Sequence, residues 1–195
     1  MTKLINKIKD LNNTSEKGFT VLETLVAIAV LILSLTAAFS VAQNGLSLSM
    51  SSRDEVTAYY LAQEGVEVIR NIRDENSLNG FSWLTGISSQ VSDPCYFGSY
   101  CAVDSPNQNY MVSCGAIAGN CPVLLQDRQT NSSTYGMYGL NPASTSGWTP
   151  TVFKRELLLE QINSNEVALT VKIYWTKGTL TRNFVVHENL FNWQR

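Results

Sequence analysis

Between Thr24 and Ser52 the chain carries no charged residue, and this constrains everything else. Residues 19–42, FTVLETLVAIAVLILSLTAAFSVA, hold one acid, Glu23, and otherwise only the hydroxyls of Thr20, Thr24, Ser34, Thr36 and Ser40. Such hydroxyls bond back to a helix backbone. At ~1.5 Å rise per residue the run makes a helix ~36 Å long, enough for a hydrocarbon layer of ~30 Å. A buried helix in a soluble domain of this size rarely goes so long without charge. The basic residues also lie to one side. Residues 1–18 carry Lys3, Lys7, Lys9 and Lys17 against Asp10 and Glu16, or 4 − 2 = +2; the remainder is then −2 − 2 = −4. A basic head, an apolar run and an acidic body predict a cytoplasmic N-terminus, a single crossing and an exported body. The acidic total argues against nucleic acid as a partner.

An ordinary secretory signal has an apolar core of ~7–15 residues ending at a small-residue cut site. Here the run is longer, and the small residue with a processing look, Gly18, precedes it. Cleavage after Gly18 removes the charged leader and leaves the apolar helix on the mature protein. Glu23 is the anomaly: a carboxylate near the centre of a spanning helix costs at least ~2.5–3.5 kcal/mol and is by default a functional residue. Its place four residues after Phe19 also permits the plainer reading of a charge tolerated at a helix end.

The stretch Lys17-Gly18-Phe19-Thr20-Val21-Leu22-Glu23, followed by about twenty apolar residues, resembles the processing signal of type IV prepilins and pseudopilins. The resemblance implies that a prepilin peptidase cuts between Gly18 and Phe19 and methylates the new Phe19 amino group. It also implies that Glu23 serves assembly. The physical logic agrees: the cut creates an ammonium at Phe19, and a carboxylate four residues on can pair with a neighbour's ammonium when helices stack. A misregistered neighbour leaves both charges unpaired, so the pair can set register.

The helical pattern continues past the apolar run. Val56, Tyr59, Ala62, Val66, Ile69 and Ile72 predict one buried stripe. Glu64, Glu67, Arg70 and Asp74 are expected on the other side, with Glu67–Arg70 and Arg70–Asp74 at pairing distance. The expected helix runs from about Phe19 to about Asp74, with Gly45 and Gly65 as weak points. The uncharged linker Gln43–Ser52 fits burial among neighbouring subunits. Ala62-Gln63-Glu64-Gly65 and Arg70-Asn71-Ile72-Arg73-Asp74 are similar to minor pilin sequences. Many major pilins carry a proline within this helix; here the first proline is Pro94.

Residues 76–150 are rich in Ser, Gly, Asn and Thr, with all five prolines in 94–150, and read as loops with short strands at Asn109–Ser113 and Thr134–Leu140. Cys95, Cys101, Cys114 and Cys121 fall here at spacings C-x5-C-x12-C-x6-C. On an exported domain they predict two disulfides, in any of three connectivities. Zinc is the competing reading, against which stands the absence of close cysteine pairs.

Residues 151–195 read as an antiparallel meander. Val152–Ile162 is one strand. Val167, Leu169, Val171, Ile173 and Trp175 alternate with outward positions in a second, and Thr179–Val186 follow a turn at Thr176-Lys177-Gly178 as a third. Leu190-Phe191-Asn192-Trp193 is expected to close the chain with aromatic anchors. Phe153-Lys154-Arg155-Glu156, Val171–Trp175 and Trp193 resemble, more loosely, the C-terminal part of minor pilins that prime pilus assembly.

The expected fold is α+β and type IV pilin-like: a leader (1–18), a transmembrane or filament-core helix (19–42), its amphipathic continuation (43–75), a disulfide-containing loop region (76–150) and a meander (151–195). No catalytic, cofactor or metal set is expected. His187 has no partner base, no known catalytic pattern occurs, and Asp93, Asp104 and Asp127 lack the spacing of a calcium loop. The resemblance implies a minor pilin or pseudopilin whose partners are the prepilin peptidase, sibling subunits, membrane lipid and an inner-membrane assembly platform. The alternative is a membrane-anchored adhesion or ligand-binding module.

Overall fold

The computed structural model describes residues 18–106, 110–140 and 146–193. The leader before Gly18 and the expected strand start at Asn109 lie outside them. The chain divides into two compact units, Met1–Ser51 and Ser52–Arg195. Among the described residues, one helix, α1 (Val21–Leu78, 58 residues), supplies the regular structure of the first and continues into the second.

In the first unit every described residue from Gly18 to Met50 is exposed. Ser34 Oγ returns to Val30 O and Leu31 O, both at 2.9 Å, so the hydroxyls of the apolar run are satisfied by the helix itself. By length and composition this helix can cross a membrane.

In the second unit α1 packs on a seven-stranded antiparallel sheet, giving an α+β architecture. The strands are β1 (Tyr100–Val103), β2 (Met111–Gly115), β3 (Val123–Asp127), β4 (Tyr138–Gly139), β5 (Trp148–Asn163), β6 (Glu166–Lys177) and β7 (Leu180–Phe191). The sixteen-residue β5 is the spine. Along one side it pairs with β6 from Phe153↔Trp175 to Asn163↔Glu166. Its other side is shared: β3 takes Trp148–Lys154, and β1 takes Leu157 and Leu158. The meander β5–β6–β7 has the expected order, and β6 buries Val167, Leu169, Val171, Ile173 and Trp175 on alternate positions. Asn163 Oδ1 accepts from Asn165 N at 2.9 Å in the first turn. In the second, Gly178 at φ +62° occupies the first central position, as a two-residue hairpin of the II′ kind requires.

The helix meets the sheet with the expected stripe at Ala62, Val66 and Ile69, with Ile72 packed against the core, but the buried face is wider and departs from the stripe at its start. Ala58, Leu61, Ala62, Gly65, Val66, Val68 and Ile69 are buried, while Val56 and Tyr59 are at least half exposed. Small residues at 58, 62 and 65 let the helix approach closely, and of these only Ala62 belonged to the expected stripe. Glu64 consequently lies at the margin of the buried face. Glu67 pairs with Arg70 at 2.8 Å as expected, but Asp74 pairs with Arg73 at 2.7 Å instead of Arg70. Arg70 turns to Glu188 on β7.

Three expectations in the C-terminal half are corrected. The strand expected at Thr134–Leu140 shrinks to Tyr138–Gly139, because Thr134 and Ser132 turn inward to serve Asp127. The third strand of the meander runs on to Phe191. At the terminus the anchor is aliphatic: Leu190 is fully buried, whereas Phe191 and Trp193 are each 53% exposed. The loop region contributes more core than its composition suggests, through Trp83, Leu84, Ile87, Val103 and Leu124.

Candidate functional site

Around the N-terminus of α1, Gly18 and Phe19 are exposed and precede the first helical turn, so the expected cleavage point lies outside regular structure. Thr20 caps the helix: its Oγ1 accepts from Glu23 N at 3.2 Å. Thr20-Val21-Leu22-Glu23 is thus the Thr-x-x-Glu signature of a helix start, a signal visible in the sequence and overlooked there. Glu23 lies in the first turn, where the exposed N–H groups and the macrodipole favour a negative charge. It therefore has a local stabilising role in addition to any role in assembly.

The four cysteines form Cys95–Cys101 and Cys114–Cys121, the pairing of sequence neighbours among the three connectivities. No cysteine among the described residues is free, which removes zinc as a reading. Disulfides fit an oxidising, extracytoplasmic compartment for the second unit. Cys95 and Cys101 are fully buried in the main core, so this bridge ties the loop after α1 to β1.

The most concentrated polar arrangement is one that sequence reasoning did not single out as a site. Arg155, on β5, is 0% exposed and points at α1. Nη1 donates to Leu61 O (3.2 Å) and Glu64 Oε2 (2.9 Å), and Nη2 to Val103 O (2.8 Å) and Ser105 Oγ (2.8 Å). Among the described residues its Nε finds no partner. Burial lowers the guanidinium pKa, and Glu64 opposes that shift. The group holds helix, β5 and β1 together rather than facing a substrate. On the opposite face Glu156, 1% exposed, accepts from Gly119 N (2.7 Å) and Cys121 N (3.2 Å), fixing the Cys114–Cys121 loop over β5.

The acidic loop residues each have a local partner. Asp93 caps its turn through Ser89 Oγ (3.0 Å) and Gln90 N (2.8 Å), and Asp104 accepts from Leu140 N (3.1 Å). Asp127 accepts from Gln129 N (2.9 Å) and Thr134 Oγ1 (2.7 Å). These bonds and one from Ser132, the strongest influence, hold its carboxyl below the usual range. Among the described residues no group of three or more His, Cys, Asp or Glu is placed to hold a metal. His187 lies within β7, bonded at 2.9 Å to Thr170 on β6 and exposed. A cavity of about 420 Å³ lies between Thr57, Tyr60, Leu61 and Glu64 of α1 and Gly136, Met137 and Tyr138. No family model matches the chain, and neither a curated protein nor a solved structure matches it.

Proposed function

We propose that this chain is a minor pilin or pseudopilin, a structural subunit held in the cytoplasmic membrane and then drawn into a type IV pilus or a related secretion or DNA-uptake filament. The observation that carries the reading is the charge-free helix beginning at Thr24: from there to Met50 every residue is exposed. An apolar surface of that extent needs lipid or other helices around it. Lipid covers it in storage and sibling helices cover it in the filament. The Gly18–Phe19 bond is the processing point, and Glu23 is the group that selects register against a neighbour's Phe19 ammonium. The Arg155 cluster and the two disulfides serve the rigidity of an exported body that must be pulled without unfolding.

The test is the N-terminal mass of the mature protein from its native cell, combined with Glu23→Ala. The expected result is a chain that starts at methylated Phe19. The variant is expected to reach the membrane but fail to enter filaments. A chain still starting at Met1 in cells with active prepilin peptidase would refute the reading. The cavity beside Tyr60 and Tyr138 favours a second reading, a membrane-held binding module, for which Glu23→Ala leaves ligand binding unchanged.

A further inference from the structure

The pattern Asn-x-Ser/Thr, with x other than proline, is the acceptor pattern for N-linked sugar on the surface of an exported protein. It occurs three times, at Asn12, Asn13 and Asn131. Asn12 and Asn13 lie in the leader, outside the described residues and on the side expected to stay cytoplasmic. Asn131-Ser132-Ser133 lies in the second unit, between β3 and β4. A pattern this short arises often by chance, so the geometry around it has to decide.

Alternate side chains of this turn have opposite duties. Thr134 Oγ1 donates to Asp127 Oδ2 at 2.7 Å, and the hydroxyls of Ser132 and Thr134 lie 2.8 Å apart, so both are committed inward. The backbone is closed over the same stretch by Ser132 N to Gln129 O (2.9 Å), Tyr135 N to Ser132 O (3.2 Å) and Gly136 N to Asp127 O (2.9 Å). Asn131 and Ser133 are left exposed. No hydrogen bond among the described residues occupies either side chain. The acceptor amide and the hydroxyl two residues on are therefore both free, while the residue between them anchors the turn. A surface turn is also where a modifying enzyme gains access to the backbone.

We propose that Asn131 is the acceptor for an N-linked glycan, transferred from a lipid-linked oligosaccharide by a transferase on the extracytoplasmic face of the membrane. Asn131 Nδ2 attacks the anomeric carbon of the lipid-bound sugar. The new N–C bond replaces the anomeric C–O bond, the lipid pyrophosphate leaves with that electron pair, and the amide proton passes to the transferase. The Ser133 hydroxyl is the second group that the transferase reads. This site rests on the membrane-held reading of the chain. Its two disulfides fit the oxidising side of the membrane. A membrane anchor confines the acceptor to the surface that also carries the lipid-linked donor, which raises the effective concentration of one for the other.

The test is intact and peptide mass spectrometry of the full chain and its mature form, extracted from the membranes of the native cell. The expected result is an increment of whole sugar residues on the peptide that contains Asn131, and none on Asn12 or Asn13 of the precursor. Asn131→Gln and Ser133→Ala are expected to lose the increment completely, and Ser133→Thr to keep it. Both positions are exposed and unbonded, so all three variants are expected to fold and to reach the membrane as the wild type does. A bare Asn131 would overturn the proposal, as would sugar that survives in Asn131→Gln or Ser133→Ala. A mature chain that starts at Phe19 with Asn131 bare refutes this site alone. A chain that starts at Met1 with Asn131 glycosylated refutes the filament reading alone. Sugar on Asn12 or Asn13 would reverse the orientation in the membrane and refute both.

Discussion

Gly65 lies directly beneath Arg155: a methyl group at its Cα would stand 3.1 Å from Arg155 Cδ and 3.1 Å from Val171 Cγ1. Both neighbours are fully buried, and the guanidinium is pinned by four hydrogen bonds, so neither can move cheaply. Gly65→Ala gains ~1 kcal/mol of helix propensity and pays ~1–3 kcal/mol of overpacking. The net expectation is a loss of up to ~2 kcal/mol, with Gly65→Val worse. Denaturant midpoints of the two variants test the order; a stabilised Gly65→Ala would show that Arg155 has room to shift.

Arg155 itself is the residue whose loss should cost most in the second unit. Removing it leaves Val103 O without this donor, Leu61 O with its helical bond alone, and Glu64 without its cation. Breaking a buried pair from one side typically costs ~3–5 kcal/mol. Arg155→Ala is expected in that range. Glu64→Gln should cost less, since the amide oxygen can still accept from Arg155 Nη1 and the four-way packing of the guanidinium is kept. Because the two residues share one network, the double variant should lose less than the sum of the singles. Additive losses in a double-mutant cycle would mean that the pair is not coupled.

How far such features could be read in advance depended on how local they are. The apolar run and the alternation of β6 are written in consecutive residues, and they were legible; the turn after β6 was read one to two residues early, at Thr176–Gly178 instead of between Lys177 and Leu180. The face of α1 was legible in part: Ala62, Val66 and Ile69 lie on the expected stripe, whereas Ala58, Leu61, Gly65 and Val68 widen it and Val56 and Tyr59 fall outside it. Its burial is set by the small residues Ala58, Ala62 and Gly65, whose value lies in what approaches them from β5 and β6. Arg155 and Glu156 are consecutive charged residues of one strand and so point to opposite faces, and both faces are covered: one by α1, the other by the Cys114–Cys121 loop. At Glu23 the missed signal was local, since Thr20 three residues earlier is the mark of a cap.

The two disulfides should separate on reduction. Each closes a short loop, with partners 6 and 7 residues apart, for which the chain-entropy model gives ~2 kcal/mol apiece. Cys95 and Cys101 are sealed in the core, whereas Cys114 is half-buried at the end of β2. A mild thiol reductant is therefore expected to open Cys114–Cys121 first, leaving Cys95–Cys101 until the domain unfolds. Alkylation followed by peptide mass mapping reads the order, and early labelling of Cys95 would contradict the packing.

Acid should weaken the second unit in a defined direction. The Asp127 carboxyl is held low by Ser132, Gln129 and Thr134, and the Asp74 carboxyl by Arg73 first and by Trp193. A carboxylate with a depressed folded pKa stabilises the fold above the unfolded value, 3.8 for both, and that contribution is lost as pH falls through the folded pKa. Asp127→Asn is expected to lower the melting temperature at pH 7 and to flatten its decline below about pH 4. An unchanged pH profile in the variant would show that the Ser132–Thr134 turn does not depend on the charge.

At the start of α1, two neighbouring residues make the local and the assembly roles of Glu23 separable. Thr20 Oγ1 caps a backbone N–H, so Thr20→Val removes a cap worth ~1 kcal/mol and frays the first turn while keeping the acid. Glu23→Gln keeps the cap, because the donor is the backbone, and removes only the charge. If the carboxylate pairs with a neighbour's Phe19 ammonium, Glu23→Gln should abolish filament incorporation and Thr20→Val should reduce it only modestly. If Glu23 matters only through the helix start, the ranking reverses, since a neutral glutamine loses just the dipole term of ~0.3–1 kcal/mol. Comparing membrane-held and filament-held protein for the two variants in one strain decides between these orders.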